Sequence, residues 1–414
     1  MTQSIKFNVG VLLLAFIIAI VGVNISAQTD SDSDDHSHDE STHTHAEDGS
    51  VITSIDPSLF LEDGLASDIS EEACTLSGGT ETTCYRIEVY SVPTDHEAGP
   101  WCPRTITDSA EEGGIWFEDG IVYDLDGEFI ENLDTFYNDE NWLLYNEDGT
   151  INVTDTVEAF EAAARPNVDP AYQNHCVEGQ LEWLEDGATL VTYIIPTEPF
   201  MLENSQDLNG NVIGISLNGV NFDPPAPTAQ ILAAYTIAAL DDCGGHINPV
   251  TGYHYHAHTG CTAEIAQADG HAPLIGFALD GIPMYSLYDV DGNEASDLDE
   301  CGGQYDDVRG YHYHVADAGS NMTLGCFSGE IGCSYNGSVA DLCDASASED
   351  DRGGPPDGGN DQGAPDLANA AEILGVSEDD LRDALGDERP PNFAAAAETL
   401  GISEDAIRDA LGTP

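Results

Sequence analysis

The sequence predicts a mainly β protein, a β-sandwich or barrel-like fold stabilised by disulfides, with a small α-helical repeat module at its C-terminus. Three observations support this fold class. Asp-Gly and Asn-Gly turns separate apolar or alternating runs between residues 51 and 240, which is a strong hairpin signal. The chain has ten cysteines, an even number. Its last fifty residues repeat one short helical pattern.

The N-terminal segments predict export followed by a spacer. Residues 1–27 resemble a secretory signal peptide, because Lys6 precedes the apolar stretch Val11–Val23. A retained N-terminal anchor is the alternative. Residues 28–50 are rich in His, Ser and Asp, which predicts a disordered segment. This segment is either a loose collector of transition-metal ions or an acidic spacer.

Residues 51–345 are expected to form one β-rich domain. The runs that predict strands are residues 115–130, 141–153 and 180–196, with two further strands in residues 210–225 around Asn218-Gly219. Residues 157–166 are the clearest helix before the repeat, and Pro166 ends it.

Residues 346–365 form a Gly-, Pro- and Asp-rich linker, and residues 366–414 contain two copies of a helical hairpin. Each copy has a Ser N-cap, at Ser377 and Ser403, and ends in Gly. Few arginines accompany many acids, so we expect a packing or protein-docking role rather than DNA binding.

The charge balance excludes two classes of partner. Nine Lys and Arg face 78 Asp and Glu, a formal charge of −69. Phosphate binding needs cationic side chains, so nucleic acid is excluded as a partner, as is the membrane after signal cleavage. High-salt adaptation, divalent-cation binding and solubility outside the cell each remain compatible with such acidity.

The ten cysteines predict a disulfide framework, as expected of an exported chain. Short separations favour four pairs, and the remaining two cysteines would close a longer loop, although sequence alone leaves the connectivity open. The pairs are Cys74–Cys84, Cys243–Cys261, Cys301–Cys326, Cys333–Cys343 and, over the longer loop, Cys102–Cys176.

The duplicated segment carries the chemistry. Tyr-His-Tyr-His occurs twice, each time ten residues after the Cys of a Cys-Gly-Gly. In a strand, alternate residues share a face, so His254 projects with His256, and His312 with His314. We expect both pairs to converge on one metal site, because neutral imidazole binds Zn, Cu, Ni and Fe. A single His-x-His pair, in contrast, is more often a surface pair.

Further residues are candidates for the same site. His246, His258 and the remote His96 are possible ligands. Asp280 is a ligand, an orienting or acid/base carboxylate, or only a turn residue before Gly281. His175 and His271 are further candidates, and each is also compatible with a plain surface position.

These motifs resemble the bacterial YHYH-domain proteins. The resemblance rests on CGGHINPVTGYHYH, the second GYHYH, IGFALDGIPMYS between them, ISLNGVNFDPP upstream, and the stretch around His96. It covers about residues 85–330. It implies an extracytoplasmic protein and no established reaction. Gln304 stands where the first copy has His246, so the two copies are not equivalent.

The metal and the activity remain open at this point. Imidazole-rich, thiolate-poor sites favour copper or zinc. A calcium loop is possible because acids and amides follow EF-hand spacing at Asp289, Asp291, Asn293, Asp297 and Glu300, although Glu294 replaces the required Gly. The first hypothesis is an exported transition-metal-binding protein. The alternatives are a hydrolytic or oxidative metalloenzyme at the same histidines, and a structural or adhesive surface protein that binds calcium.

Overall fold

The computed structural model describes residues 51–164, 168–184, 187–337 and 342–346, and part of the segment between residues 371 and 407. The predicted signal peptide, the His-rich segment 28–50, nearly all of the linker and much of the C-terminal repeat lie outside the described residues. Of the repeat, one helix is described in full.

The described residues are mainly β, as predicted. The strands are β1 Ser70–Thr75, β2 Glu81–Tyr90, β3 Gly114–Glu118, β4 Ile121–Leu125, β5 Cys176–Val177, β6 Leu190–Pro196, β7 Met201–Gln206, β8 Gly214–Ser216, β9 Asn221–Phe222, β10 Ile237–Ala238, β11 Gly245–Asn248, β12 Gly252–Tyr255, β13 Leu274–Ala278, β14 Pro283–Tyr285, β15 Gly303–Asp306, β16 Gly310–His314, β17 Phe327–Gly329 and β18 Cys333–Asn336. The α-helices are α1 Gly127–Glu131, α2 Leu133–Phe136, α3 Val157–Ala163, α4 Thr228–Ala233 and α5 Phe393–Leu400. Short 3₁₀ helices cover Pro57–Leu59, Glu62–Gly64, Ala110–Glu112, Leu181–Trp183 and Ala318–Ser320.

Turn chemistry places several elements where the sequence predicts them. Strands β3 and β4 pair antiparallel around Asp119 and Gly120, which both have positive φ. Strands β8 and β9 pair around Asn218-Gly219, as predicted. Helix α3 begins where expected, because the Thr156 side chain accepts a hydrogen bond from the amide of Ala159.

Three parts of the runs expected to be strands take another form in the described residues, and one of them is the 3₁₀ helix Leu181–Trp183. The segment from Gly127 belongs to helix α1, because the Asp126 carboxylate caps its first turn by accepting from the amide of Phe129. Residues 141–153 form only isolated bridges, such as Tyr145 with Ile151. The Asp-Gly pairs that begin at Asp126 and Asp148 therefore do not join two paired strands.

Two sheets share one core. One has the order β1-β2-β6-β18 and the other the order β11-β12-β9-β8-β13-β14-β16-β15. Alternate residues of β2 and β6, such as Ile87 and Tyr193, join the same buried cluster as Ile215 and Phe277 of the larger sheet. The larger sheet carries both copies of the histidine motif.

Five disulfides reinforce this core, and their pairing is the one that the sequence analysis puts first. Two of them flank the histidine motifs, and a third closes the longer loop. They are Cys74–Cys84, Cys102–Cys176, Cys243–Cys261, Cys301–Cys326 and Cys333–Cys343. No helix within the described part of the chain is long and apolar enough to cross a bilayer.

Candidate metal centres

The larger sheet is built from two similar halves. In each half, a hairpin with an Asn-Gly or Asp-Gly turn is followed by a second hairpin that ends in Tyr-His-Tyr-His. The last strand of each half pairs in parallel with the first hairpin, β12 with β9 and β16 with β14. The halves meet at the antiparallel pair β8–β13, so the strand order reads as a mirror image about the centre.

Backbone hydrogen bonds across the centre follow the same pattern. The amide of Leu217 donates to the carbonyl of Ile275 at 3.0 Å, and the amide of Leu279 donates to the carbonyl of Ile213 at 2.8 Å. Exchanging the halves therefore exchanges these two bonds, as a local two-fold axis requires. As a result, the motif strands β12 and β16 lie on opposite sides of the central pair β8–β13.

Three imidazoles meet at β11 and β12. The ligand-capable atoms of His246, His254 and His256 all lie within 4.8 Å of one another. Their ring centroids are 4.6 to 5.0 Å apart. His246 faces His254 directly, because these two residues are opposite each other in the antiparallel register. We call this cluster the first triad.

Three imidazoles also meet in the other half. His271, His312 and His314 bring their ligand-capable atoms within 4.8 Å of one another, with ring centroids 4.9 to 5.2 Å apart. The Nε2 atoms of all three rings are buried and have no hydrogen-bond partner. Unpaired polar atoms are rare in protein interiors, so three of them at one point need an explanation. We call this cluster the second triad.

The backbone fixes the orientation of the rings at the first triad. Nδ1 of His254 is 3.1 Å from the carbonyl oxygen of Gly252, and Nδ1 of His256 is 2.7 Å from that of Pro224. Because a carbonyl only accepts, these contacts require a proton on Nδ1. That tautomer leaves the Nε2 lone pairs directed into the cluster.

The second triad repeats this tethering. Nδ1 of His312 is 3.1 Å from the carbonyl oxygen of Gly310, and Nδ1 of His314 is 2.8 Å from that of Ser286. His271 is tethered in the same way, with Nδ1 3.2 Å from the carbonyl oxygen of Ala272. Each ring thus uses its Nδ1 proton outside the cluster, which is the arrangement that metal-ligating histidines adopt.

Burial keeps the rings of the first triad neutral at pH 7. Desolvation lowers the pKa of His254 and of His256 to about 4. The pKa of His246 is held well below its ordinary value by burial and by the two neighbouring rings. The three rings are therefore neutral, and Nε2 of His256 lies 3.2 Å from Nε2 of His246 inside the cluster.

Burial acts in the same direction at the second triad. It lowers the pKa of His314 to about 4, and it also lowers the pKa of His271 and of His312. Converging lone pairs repel one another unless a cation lies between them. Both triads therefore have a donor set that could hold a metal ion.

The third histidine has a different origin in each half. His246 lies opposite His254 on β11, and Gln304 occupies the matching position opposite His312 on β15. The amide of Gln304 points elsewhere and donates to the carbonyl of Ser296. The second triad takes its third ring from His271, in the loop that precedes β13.

The residue beside each triad also differs. Register places Asp223, which follows β9, in the position that Tyr285 has at the end of β14. Oδ2 of Asp223 is 3.6 Å from Nε2 of His254. Burial raises the pKa of Asp223, and His256 opposes this effect. The three rings of the first triad and Asp223 line a cavity of about 360 Å³.

Tyr285 covers the second triad. Its ring lies 4.8 Å from that of His271 and 5.3 Å from that of His312, and its hydroxyl donates to the carbonyl of Ile52. The guanidinium of Arg309 packs 5.5 Å from the centre of the Tyr285 ring and is bound by Asp269. The second triad is therefore enclosed by aromatic and charged side chains.

The tyrosines of both motifs face away from the triads, as strand alternation predicts. In the first positions, the Tyr253 hydroxyl donates to Asp241 and the Tyr311 hydroxyl donates to Asp299. In the second, Tyr313 donates to Asp280 at 2.7 Å, whereas Tyr255 accepts from the amide of Asn218. Burial raises the pKa of Asp280 to about 6.

The expectation of one convergent site is wrong. Four strands lie between β12 and β16 in the sheet, which is five inter-strand steps of about 4.8 Å each. The histidine pairs therefore belong to two separate triads. The sequence analysis leaves His271 open between a candidate ligand and a plain surface residue, and does not identify it as the third ring. Its only sequence signal is its place in a Gly-His-Ala-Pro loop.

Three other candidates lie outside the triads. His96 contacts the tyrosine face, with Nδ1 2.8 Å from Asp95 and its ring next to Tyr255. Nε2 of His258 lies 3.2 Å from Glu264. Asp280 accepts from the Tyr313 hydroxyl and from the amides of Ile282 and Gly329, so it does not orient an imidazole.

The proposed calcium loop has another arrangement. The Asp289 carboxylate accepts from the amides of Asp291 and Asn293, which closes a turn, and Glu300 accepts from Ser205. Among the described residues, the groups of three or more potential ligands within 4.8 Å of one another are the two histidine triads.

Taken together, the described domain is a duplicated β structure that carries one three-histidine cluster in each half. The model of the family described as YHYH protein matches residues 192–345, which include both triads. Residues 192–345 of the chain therefore form a YHYH domain, and the resemblance seen in the motifs is confirmed over these residues. No curated protein and no solved structure matches the chain.

Proposed function

We propose that this chain is an exported protein that binds a transition-metal ion, copper or zinc, at each of its two histidine triads. One observation carries the proposal. In each triad, backbone carbonyls hold Nδ1 of the two motif histidines, so three Nε2 atoms meet in a buried site. A metal ion satisfies all three lone pairs at once.

Export is supported by the disulfides and by the signal-like N-terminus. The chain has five disulfides, and in most organisms disulfides persist in oxidising compartments outside the cytosol. Thiolates are absent from the proposed sites because all ten cysteines are paired. Imidazole ligands without thiolate favour Cu(II) and Zn over softer metals.

The test is the metal content of the purified chain and its variants, measured by mass spectrometry of the elements. We expect His254→Ala to lose one ion relative to the wild type, His312→Ala to lose one, and the double variant to lose both. Taking differences removes any contribution from metal held loosely by the segment 28–50. His175→Ala is the matched control, because its ring bonds the carbonyl of Gln173 outside both triads.

Two outcomes would contradict the proposal. The double variant could keep the metal content of the wild type, which would place the ions elsewhere. The wild type could contain calcium alone, which would favour the surface-scaffold hypothesis. In either case the triads would not be metal sites.

A further inference from the structure

The two triads differ in whether a cavity reaches them, and the cavity concerned has a volume of about 360 Å³. It reaches the three rings of the first triad. Its volume lies in the range of small-molecule sites, and its described walls are mostly apolar. Apolar lining residues include Phe160, Ala163, Val177, Pro227, Ile231 and Val250. At the second triad, the Nε2 atoms are buried beneath Tyr285 instead.

We propose that the cavity binds a compact, largely apolar molecule through one neutral nitrogen or oxygen donor, which completes the coordination of the ion at the first triad. This inference rests on the proposed metal function. The second triad, in contrast, holds a structural ion with no exchangeable position. Open three-ligand sites are typical of reactive metal centres, and closed sites are typical of structural ones.

The charge around the first triad selects the class of ligand. Asp223 lines the cavity and places a carboxylate oxygen 3.6 Å from His254 Nε2, beside the proposed ion. Among the described lining residues, none is Lys or Arg. The chain as a whole carries a formal charge of −69. A neutral donor is therefore favoured over an anion.

The experiment uses the full chain loaded with Co²⁺, whose visible absorption reports its coordination. The probes are 1-methylimidazole, a neutral donor, and azide, an anion. We expect 1-methylimidazole to change the spectrum of one of the two ions. The change should disappear in His254→Ala, which retains the second ion, and persist in His312→Ala, which retains the first.

Substitutions at three further positions address access and charge. Val250 lines the cavity and is 62% exposed, so Val250→Trp should block the probe without disturbing the core, and Val250→Ala should not. Asp223→Asn should raise the affinity for azide about tenfold relative to 1-methylimidazole. Tyr285→Ala should make the second ion responsive, whereas Tyr285→Phe keeps the covering ring and should not.

The outcomes distinguish the two proposals. Two bound ions with no spectral response, or with a response that persists in His254→Ala, overturn the open-site inference and leave the metal function intact. A response in Val250→Trp equal to that of the wild type also overturns it. If neither triad binds Co²⁺, both proposals fail.

Discussion

The two halves of the large sheet have the same backbone plan and different sites. Both tether two motif histidines through Nδ1 to backbone carbonyls, and both space three rings about equally. They differ in the source of the third ring and in the residue beside it, Asp223 in one half and Tyr285 in the other. The comparison teaches that the hairpins build the site, whereas single side chains set its access and charge.

The largest expected effect tests the equivalence of Gln304 and His246. His271→Ala should remove the third ring of the second triad and lower its metal affinity by at least about 100-fold, since even outer partners of metal ligands contribute 10- to 100-fold. Adding Gln304→His should restore the ion, because residue 304 lies opposite His312 as residue 246 lies opposite His254. Metal content and competition with a chelator measure both steps.

The control for this exchange is His271→Ala with Gln304→Asn, which alters the same positions without supplying a ring. If the histidine at residue 304 rescues no better than asparagine, the two hairpins are not interchangeable. The local two-fold relation would then describe the backbone only.

The second prediction concerns acid stability of the metal-free chain. The unfolded state binds protons on histidine near pH 6.5, but burial holds the pKa of His254, His256 and His314 at about 4. Between these values the unfolded state binds more protons, so the free energy of unfolding falls as the pH falls from 6.5 to 4. Each such histidine lowers the free energy of unfolding by at most about 2 kcal/mol as the pH falls from 6.5 to 5.

Variants of each half sharpen this prediction. His254→Asn with His256→Asn should remove more of the pH dependence than His312→Asn with His314→Asn, because two pKa values reach about 4 in the first triad and one does in the second. Urea unfolding at pH 7 and pH 5 measures the difference. An equal loss in both variants would show that the halves do not differ in this respect.

The smallest effects are expected on the tyrosine face. Tyr313→Phe removes a hydrogen bond from the buried Asp280 carboxylate, which should cost about 1.5–3 kcal/mol. Tyr255→Phe removes a bond to the neutral amide of Asn218 and should cost about 0.5–1.5 kcal/mol. Neither change should alter metal content. Thermal unfolding gives the stabilities, and a larger cost for Tyr255→Phe would contradict the assigned partners.

Local chemistry in the sequence is enough to predict much of this fold. Asn218-Gly219 marks a hairpin because its residues suit a tight turn, and strand alternation puts His254 and His256 on one face. Four of the five disulfides also join cysteines that are 10 to 25 residues apart, although sequence alone leaves their connectivity open. These features depend on neighbours in the chain, which the sequence displays directly.

The arrangement of the two sites depends on distant pairing and could not be predicted in this way. Strand β12 pairs in parallel with β9, and β16 pairs with β14, so the motif strands diverge instead of meeting. His271 joins the second triad only because the sheet brings its loop beside β16. A lone histidine outside any repeat carries no periodic signal of such a role.

The two triads differ in how many of their histidines a disulfide loop encloses. The Cys243–Cys261 bond closes a covalent ring, with a sequence separation of 18, that contains all three histidines of the first triad. The Cys301–Cys326 bond encloses His312 and His314 but leaves His271 outside. Formation of the Cys243–Cys261 bond therefore confines all three histidines of the first triad to one loop. The second triad forms only when the sheet brings His271 beside β16.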